Sequence, residues 1–165
     1  MRTVTFWGIV SLTGMSFSPL YGAENLFFNG TLLDPPSCTV KGKDGPMIDI
    51  NFGDSLVISS IDGVQHRMEL NYEVDCGGIT EQPLDFVLTL RGNVASYDPA
   101  VLQTTLPGLG IRVLMQNRDL PINTPQRIDN MAEKPKLEVV VVSEPRAVLK
   151  EGNFDATATL EVGYQ

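Results

Sequence analysis

Hydrophobic and polar residues alternate with a period of two in three stretches of the chain. The apolar positions of the clearest stretch, residues 68–76, are Met68, Leu70, Tyr72, Val74 and Cys76. Residues 84–91 and 154–164 repeat the pattern. Because strict alternation is typical of strands with one buried face, it predicts a strand in each stretch.

Shorter apolar runs bounded by turn residues indicate further strands. They lie at residues 47–52, 111–115 and 137–142, separated by segments that contain Gly, Pro, Asn or Asp. No segment shows the apolar spacing of an amphipathic helix. Regularly spaced short strands with turn signals favour one all-β sandwich domain.

The first 23 residues have the pattern of a secretory signal peptide. Arg2 gives a positive start, residues 4–20 are uncharged and mostly apolar, and small residues end the segment. We predict cleavage after Gly22 or Ala23. An uncleaved membrane anchor is the alternative, although glycines and a proline interrupt the apolar run. No later stretch is long and apolar enough to span a bilayer.

Export makes a disulfide the expected state of the two cysteines. Cys38 and Cys76 are the only cysteines of the sequence. In an oxidising compartment an isolated pair most often forms a disulfide. The chain-entropy treatment assigns such a crosslink about 3–4 kcal/mol of stability. Two buried free thiols are the alternative.

Composition and charge narrow the classes of function. The 165 residues carry 12 Lys and Arg against 20 Asp and Glu, a net charge of -8, which disfavours binding to nucleic acid. Two cysteines and one histidine do not supply the ligands of a zinc centre. His66 is expected to be a polar surface residue. We therefore predict no enzymatic activity, no catalytic residues, no metal and no cofactor.

Two apolar segments exceed what a closed sandwich needs. Residues 154–164 present an apolar face of six positions, and residues 24–33, before the first cysteine, are also apolar and strand-like. A flexible N-terminal arm is ordinarily polar, and exposed apolar strand edges promote aggregation. Each segment is therefore expected to be covered, by its own domain or by a partner.

A set of motifs runs through the mature chain. Residues 28–40 lead into the first cysteine, residues 48–53 follow, and a second cysteine closes an alternating strand; the set is completed by Gly110 with Ile111 and by residues 152–165. The set resembles the chaperone–usher pilus subunits of Gram-negative bacteria. In that family a glycine stands fourteenth from the C-terminus and a tyrosine is penultimate, positions that Gly152 and Tyr164 occupy here. Residues 96–135 match only loosely.

The resemblance implies an all-β, incomplete immunoglobulin-like sandwich, a pilin fold that lacks its last strand. Its parts are a signal peptide over 1–23, an N-terminal donor-strand extension over 24–34 and a pilin domain over 35–165. In the fibre, the extension of one subunit fills the groove of its neighbour, which is a form of β-augmentation. The donor residues that share one face are Leu26, Phe28, Gly30 and Leu32. The alternative, more polar register is Phe27, Asn29, Thr31 and Leu33.

The resemblance also implies that the C-terminal strand lines the groove and pairs with a periplasmic pilus chaperone. The residues of this groove strand are Gly152, Phe154, Ala156, Ala158, Leu160, Val162, Tyr164 and Gln165. The terminal carboxylate of Gln165 is expected to anchor in a basic cleft of the chaperone. An outer-membrane usher and neighbouring pilus subunits are the other partners. Two alternatives remain open. The C-terminal strand is only an edge strand of the core, or the N-terminal extension folds back on its own domain.

The mature chain has no room for a separate receptor-binding domain. We therefore expect a structural subunit of an adhesive fimbria, exported to the periplasm and then assembled on the cell surface by donor-strand exchange. Residues 29–36 look more like minor or adaptor subunits than like major pilins. A major pilin and an assembly terminator are alternatives within the family. An alternative from another class of function is an exported binding module whose β-sandwich is complete in itself.

Overall fold

The computed structural model describes residues 26–32, 37–77, 85–129 and 133–164. Over these ranges the chain forms ten β-strands and one 3₁₀ turn at Ile58–Ser60. The strands are β1 Thr39–Gly42, β2 Met68–Glu69, β3 Tyr72–Asp75, β4 Phe86–Gly92, β5 Val101–Gln103, β6 Leu109–Met115, β7 Arg118–Asp119, β8 Gln126–Ile128, β9 Leu137–Ser143 and β10 Ala158–Tyr164. The prediction of an all-β fold is confirmed.

The chain divides into two units, Met1–Asp34 and Pro35–Gln165. In the first unit, residues 26–32 form no strand or helix and are exposed throughout. All ten strands belong to the second unit. The predicted signal peptide, residues 1–23, lies outside the described residues. Among the residues that are described, no helix has the length and apolar character needed to cross a membrane.

The strands of the second unit form open antiparallel sheets. One sheet has the order β2-β9-β6-β5, and β7 pairs with β6 beside it. Another has the order β10-β4-β8, and β1 pairs with β3. The open arrangement agrees with the expected incomplete sandwich.

The alternating segment 68–76 becomes two short strands instead of the single strand that its pattern predicted. β2 pairs with β9, whereas β3 pairs with β1. The change of partner follows Leu70, whose N–H donates to the carbonyl of Leu137 at 2.9 Å. The alternation persists across the break because it reports which face is buried, not which strand supplies the hydrogen bonds.

Two other predicted strand extents are wrong. Residues 47–52 form no strand, although Ile48, Ile50 and Phe52 are half-buried and pack against the core. The C-terminal strand begins at Ala158, four residues later than the alternation indicated. In both cases the side chains keep a period of two while the backbone of the segment is not paired in a ladder. Periodicity therefore overestimates the length of a strand at the margin of a sheet.

The buried apolar residues form two clusters, and the main one joins the sheets. The main cluster includes Leu88, Leu120 and Leu137, each 0% exposed, and receives residues from β3, β4, β5, β6, β8 and β9. A smaller cluster contains Val140 and Val142 of β9, so β9 is buried on both faces. This explains why residues 139–142 read as a continuous apolar run and not as an alternation.

Gly110 of β6 is required by its surroundings. A Cβ at this position would clash with Val101 Cγ1 and come within 2.5 Å of the Tyr97 hydroxyl. We predict that Gly110→Ala lowers the free energy of unfolding in urea by about 1–3 kcal/mol, since overpacking forces neighbours to move. Gly45→Ala is the matched control, because a Cβ there meets no other heavy atom within 4 Å, and should change stability by less than about 0.5 kcal/mol. Equal effects of the two substitutions would contradict the packing described here.

Candidate functional site

The last strand, β10, forms the edge of its sheet. It pairs with β4 from Ala158 opposite Gly92 to Tyr164 opposite Phe86. The strand order places no described strand beyond β10. Residues 158–163 therefore present a second edge of main-chain donors and acceptors, which is a template for a further strand.

Core residues on both sides of this edge are only partly covered. On one side are Leu160, Val162 and Tyr164 of β10, which are half-buried and pack against the main cluster. On the other side are Cys38 and Val40, also half-buried, which line the same cleft as the β10 residues. The main core is therefore only partly covered along the line between β1 and β10.

A cleft of about 500 Å³ follows β10. Its apolar lining includes Cys38 and Val40 together with Leu160, Val162 and Tyr164. Cα atoms of β1 and β10 approach within 8 Å of each other, yet no ladder joins the two strands. Thr89, Arg91 and Glu161 add polar groups to the lining. The cleft thus combines an apolar side with an unpaired strand edge, the two features that recognition of an extended peptide needs.

Aromatic side chains lie at both ends of the incomplete line. The Tyr164 ring packs against Phe86 with centroids 5.1 Å apart, and its hydroxyl lies 3.4 Å from Cys38 Sγ. Burial raises the pKa of the Tyr164 phenol, so the group is neutral in this contact. At the other end, the rings of Phe52 and Phe154 are 6.2 Å apart.

The disulfide predicted from the sequence is present and adjoins the cleft. Cys38 and Cys76 are joined with a Cα–Cα distance of 3.9 Å. The bond links the residue before β1 to the residue after β3, and the two strands also pair by hydrogen bonds. β1 is therefore held to β3 covalently while its other side faces the cleft.

Charged groups near β10 contribute orientation and little stability. Arg91 Nε donates to Glu161 Oε2 at 2.6 Å across β4 and β10, and both side chains are about half exposed. Exposed ion pairs of this kind contribute about 0–1 kcal/mol. The pair therefore adds little to stability, although both residues line the cleft.

Residues 26–32, the described part of the segment assigned to the donor strand, are exposed on both faces. Exposure is 73% for Leu26, 83% for Phe28 and 99% for Leu32, and it is 86% for Phe27 in the alternative register. A Cβ at Gly30 would have no other heavy atom within 4 Å. Which face of the segment serves as the donor remains a prediction.

The predicted groove residues that the structure describes divide into three groups. Leu160, Val162 and Tyr164 line the cleft. Phe154 and Ala156 are half-buried outside the strand, and Gly152 and Ala158 are exposed. Gln165 lies outside the described residues. Sequence reasoning did not assign Val40 to the cleft, although its position two residues after Cys38 in an apolar alternation was a usable signal.

The structure brings together one pair of catalytic residue types. His66 Nε2 and Ser60 Oγ are 2.8 Å apart in an exposed loop. The nearby Asp62 does not orient this histidine, because its carboxylate accepts the N–H groups of Val64 and Gln65 at 2.8 and 2.7 Å. Those bonds lower the pKa of Asp62 to about 2. In the part of the chain that is described, no group of three or more His, Cys, Asp or Glu residues is placed to hold a metal ion.

Comparison with known sequences gives a consistent set of relatives. A family model described as fimbrial protein matches residues 26–165. The chain is 40% identical over 145 residues to the fimbrial-like protein YfcQ of Escherichia coli (strain K12), covering 86% of this chain and 88% of YfcQ. It is 28% identical over 167 residues to YfcR, a fimbrial-like protein of the same strain, covering 96% and 92% of the two chains.

Solved structures share the fold. The P pilus rod subunit PapA is similar with a TM-score of 0.60 at 24% identity, covering 86% of this chain and 100% of PapA. A chain from the structure of a chaperone–usher pilus is similar with a TM-score of 0.55 at 23% identity, covering 92% of this chain and 100% of that one. At these identities the likeness concerns the fold, and it supports the assignment of an open sandwich.

The disulfide should carry a measurable share of stability. We predict that the double variant Cys38→Ser, Cys76→Ser loses about 3–4 kcal/mol in urea unfolding relative to the oxidised protein, because the crosslink no longer restricts the unfolded chain. Reduction of the unsubstituted protein should give the same loss. The control is a thiol titration of the unfolded, unreduced protein, in which detection of free thiol would contradict the bond.

Proposed function

Because this chain belongs to the fimbrial protein family, we propose that it is a structural subunit of an adhesive fimbria that assembles by donor-strand exchange. The cleft beside β10 accepts a strand, and residues 24–34 are given to a neighbour. The observation that carries the proposal is the combination of an open edge on β10 with a core left half-covered along that edge. Membership of a fimbrial family also confirms the predicted absence of enzymatic activity.

Insertion of a strand requires β1 and β10 to move apart. Adjacent strands lie 4.7–4.9 Å apart, so a strand that is paired on both sides needs roughly 9.5 Å between its neighbours. Some Cα pairs of β1 and β10 are within 8 Å. The contact between Cys38 and Tyr164 lies where the two strands must separate. A donor strand therefore replaces a contact between side chains with two backbone ladders.

The energetics favour a donor that is both apolar and paired. Burial of Leu26, Phe28 and Leu32 gives about 1.5–3 kcal/mol each, or about 5–9 kcal/mol in total. Fixing the seven backbone residues 26–32 costs roughly 7–14 kcal/mol. Apolar burial alone does not offset that cost, so ladder hydrogen bonds at about 0.5–1.5 kcal/mol each are also needed. The open edge of β10 supplies those partners.

The same surfaces account for the partners that we propose before assembly. A subunit with a half-covered core and an open apolar edge aggregates unless something covers it. A periplasmic pilus chaperone would lend a strand to β10 and hold the carboxylate of Gln165, and an outer-membrane usher would receive the complex. Neighbouring pilus subunits then replace the chaperone, which places the protein first in the periplasm and finally in a cell-surface fimbrium.

Within the fibre we propose a minor or adaptor role, on the basis of residues 29–36. A major pilin and an assembly terminator, whose groove would be blocked, are the alternatives within the family. The similarity to a rod subunit concerns the fold and does not separate these roles.

The first test compares the domain without and with its own donor segment. We predict that a chain starting at Leu33 aggregates or melts at low temperature. The same chain with residues 24–34 fused after Gln165 through a flexible linker should be a stable monomer, because the added strand covers the core. Thermal melting and light scattering measure both properties. Equally stable monomers would favour the self-complete binding module instead.

The second test uses the fused protein to identify the register of the donor. We predict that Gly30→Trp destabilises it by about 1–3 kcal/mol, because a bulky side chain does not fit where the groove accepts glycine. Thr31→Trp is the matched control, since residue 31 faces outward in this register. The reverse result would assign the groove face to Phe27, Asn29, Thr31 and Leu33.

A further inference from the structure

The exposed segment 26–32 contains a chemical feature that strand pairing does not use. Asn29 precedes Gly30, and no other asparagine of the sequence precedes a glycine. Both residues are exposed and lie outside any strand or helix. We propose that Asn29 is a deamidation site, and that its conversion to isoaspartate withdraws unassembled subunits from assembly.

The reaction needs only the chain and water. The deprotonated backbone nitrogen of Gly30 attacks the side-chain carbonyl carbon of Asn29 and forms a new C–N bond. The bond from that carbon to Nδ2 breaks, and ammonia leaves with the proton, so that a five-membered succinimide remains. Water then opens one of the two ring carbonyls and gives either aspartate or isoaspartate.

The local geometry of Gly30 permits ring closure. Closure requires the backbone after the asparagine to rotate so that its nitrogen reaches the side chain, and glycine allows this rotation most readily. The position that a Cβ at Gly30 would occupy has no other heavy atom within 4 Å, apart from its chain neighbours. Gly30 therefore has neither a side chain nor a close neighbour that would hinder the attack of its nitrogen on Asn29.

Three other asparagines are held by hydrogen bonds of their side chains. Asn123 makes two bonds to Gly92, accepting its N–H at 3.1 Å and donating to its carbonyl at 3.0 Å. Asn117 Oδ1 accepts from Arg67 at 3.0 Å, and Asn51 Oδ1 accepts the N–H of Gly53 at 2.7 Å. Each of the three precedes a residue that carries a side chain. The chain thus supplies its own internal controls.

The consequence for assembly rests on the proposed donor-strand function. Isoaspartate carries the main chain through its side-chain carbon, which inserts one extra backbone atom between residues 29 and 30. Leu26 and Phe28 are then out of phase with Gly30 and Leu32, and strand pairing does not tolerate a shift of register. The aspartate product adds a charge but leaves the register intact. A segment already held in a ladder keeps an extended backbone and resists ring closure.

The chemistry is tested on the purified full chain before any assembly. Samples are incubated at mildly alkaline and at acidic pH, digested and analysed by mass spectrometry. The analysis looks for the small increase in mass that results when water replaces the lost ammonia, and isoaspartate is identified by enzymatic methylation. We expect residue 29 to convert roughly ten-fold or more faster than Asn51, Asn117 or Asn123, since only its successor lacks a Cβ. Conversion should be faster at alkaline pH. A residue 29 that stays intact, or that converts no faster than Asn123, overturns the site.

The consequence is tested by polymerisation. Fresh, aged and Asn29→Asp subunits are offered for fibre assembly, and the fibres and the unassembled fraction are analysed separately. We expect isoaspartate to be depleted several-fold in the fibres, while Asn29→Asp enters them nearly as well as fresh protein. Equal isoaspartate in both fractions overturns the effect on assembly. If fresh protein forms no fibre, the proposed function and this consequence fail together, whereas the conversion of Asn29 stands on the first experiment.

Discussion

The structure depends on how the outer edge of β10 is satisfied. Main-chain N–H and C=O groups require partners, and the apolar face beneath them requires cover. β4 supplies one edge of the strand, and the described fold supplies no strand for the other. The half-buried state of residues on both β10 and the β1 segment follows from this single vacancy in the sandwich. Their intermediate exposure is the expected property of a sandwich that lacks one strand.

The remaining framework keeps that vacancy in a defined place. β9 is buried on both faces and anchors the larger sheet, while β4 carries β10 and reaches the main core through Leu88. β1 is joined to β3 by hydrogen bonds and by the disulfide. One wall of the cleft is therefore attached to the main core through β4, and the other is attached to β3 by hydrogen bonds and the disulfide.

Several features were accessible from the sequence because they follow from local pattern. The strands β4, β6, β9 and β10, the disulfide and the apolar face of residues 160–164 all follow from periodicity or from cysteine chemistry. The partner change after Leu70 was not accessible, since both halves of the segment share one alternation. Residues 48–52 read as a strand because they pack like one, although their backbone is unpaired. The contact between Ser60 and His66 depends on the path of a loop, and hydrophobic periodicity does not predict the path of a loop.

The position of the disulfide also determines how the domain carries mechanical load. Tension that enters the domain from the N-terminal side reaches Cys38 and passes directly into Cys76 through a covalent bond. The loop between the two cysteines, which spans a sequence separation of 38 and includes all of β1, β2 and β3, cannot be drawn out while the bond is intact. Released as an extended chain, that loop would lengthen the molecule by roughly 130 Å at 3.3–3.6 Å per residue. The crosslink thus limits the extensibility of the domain, and the ladder between β1 and β3 bears none of the pull.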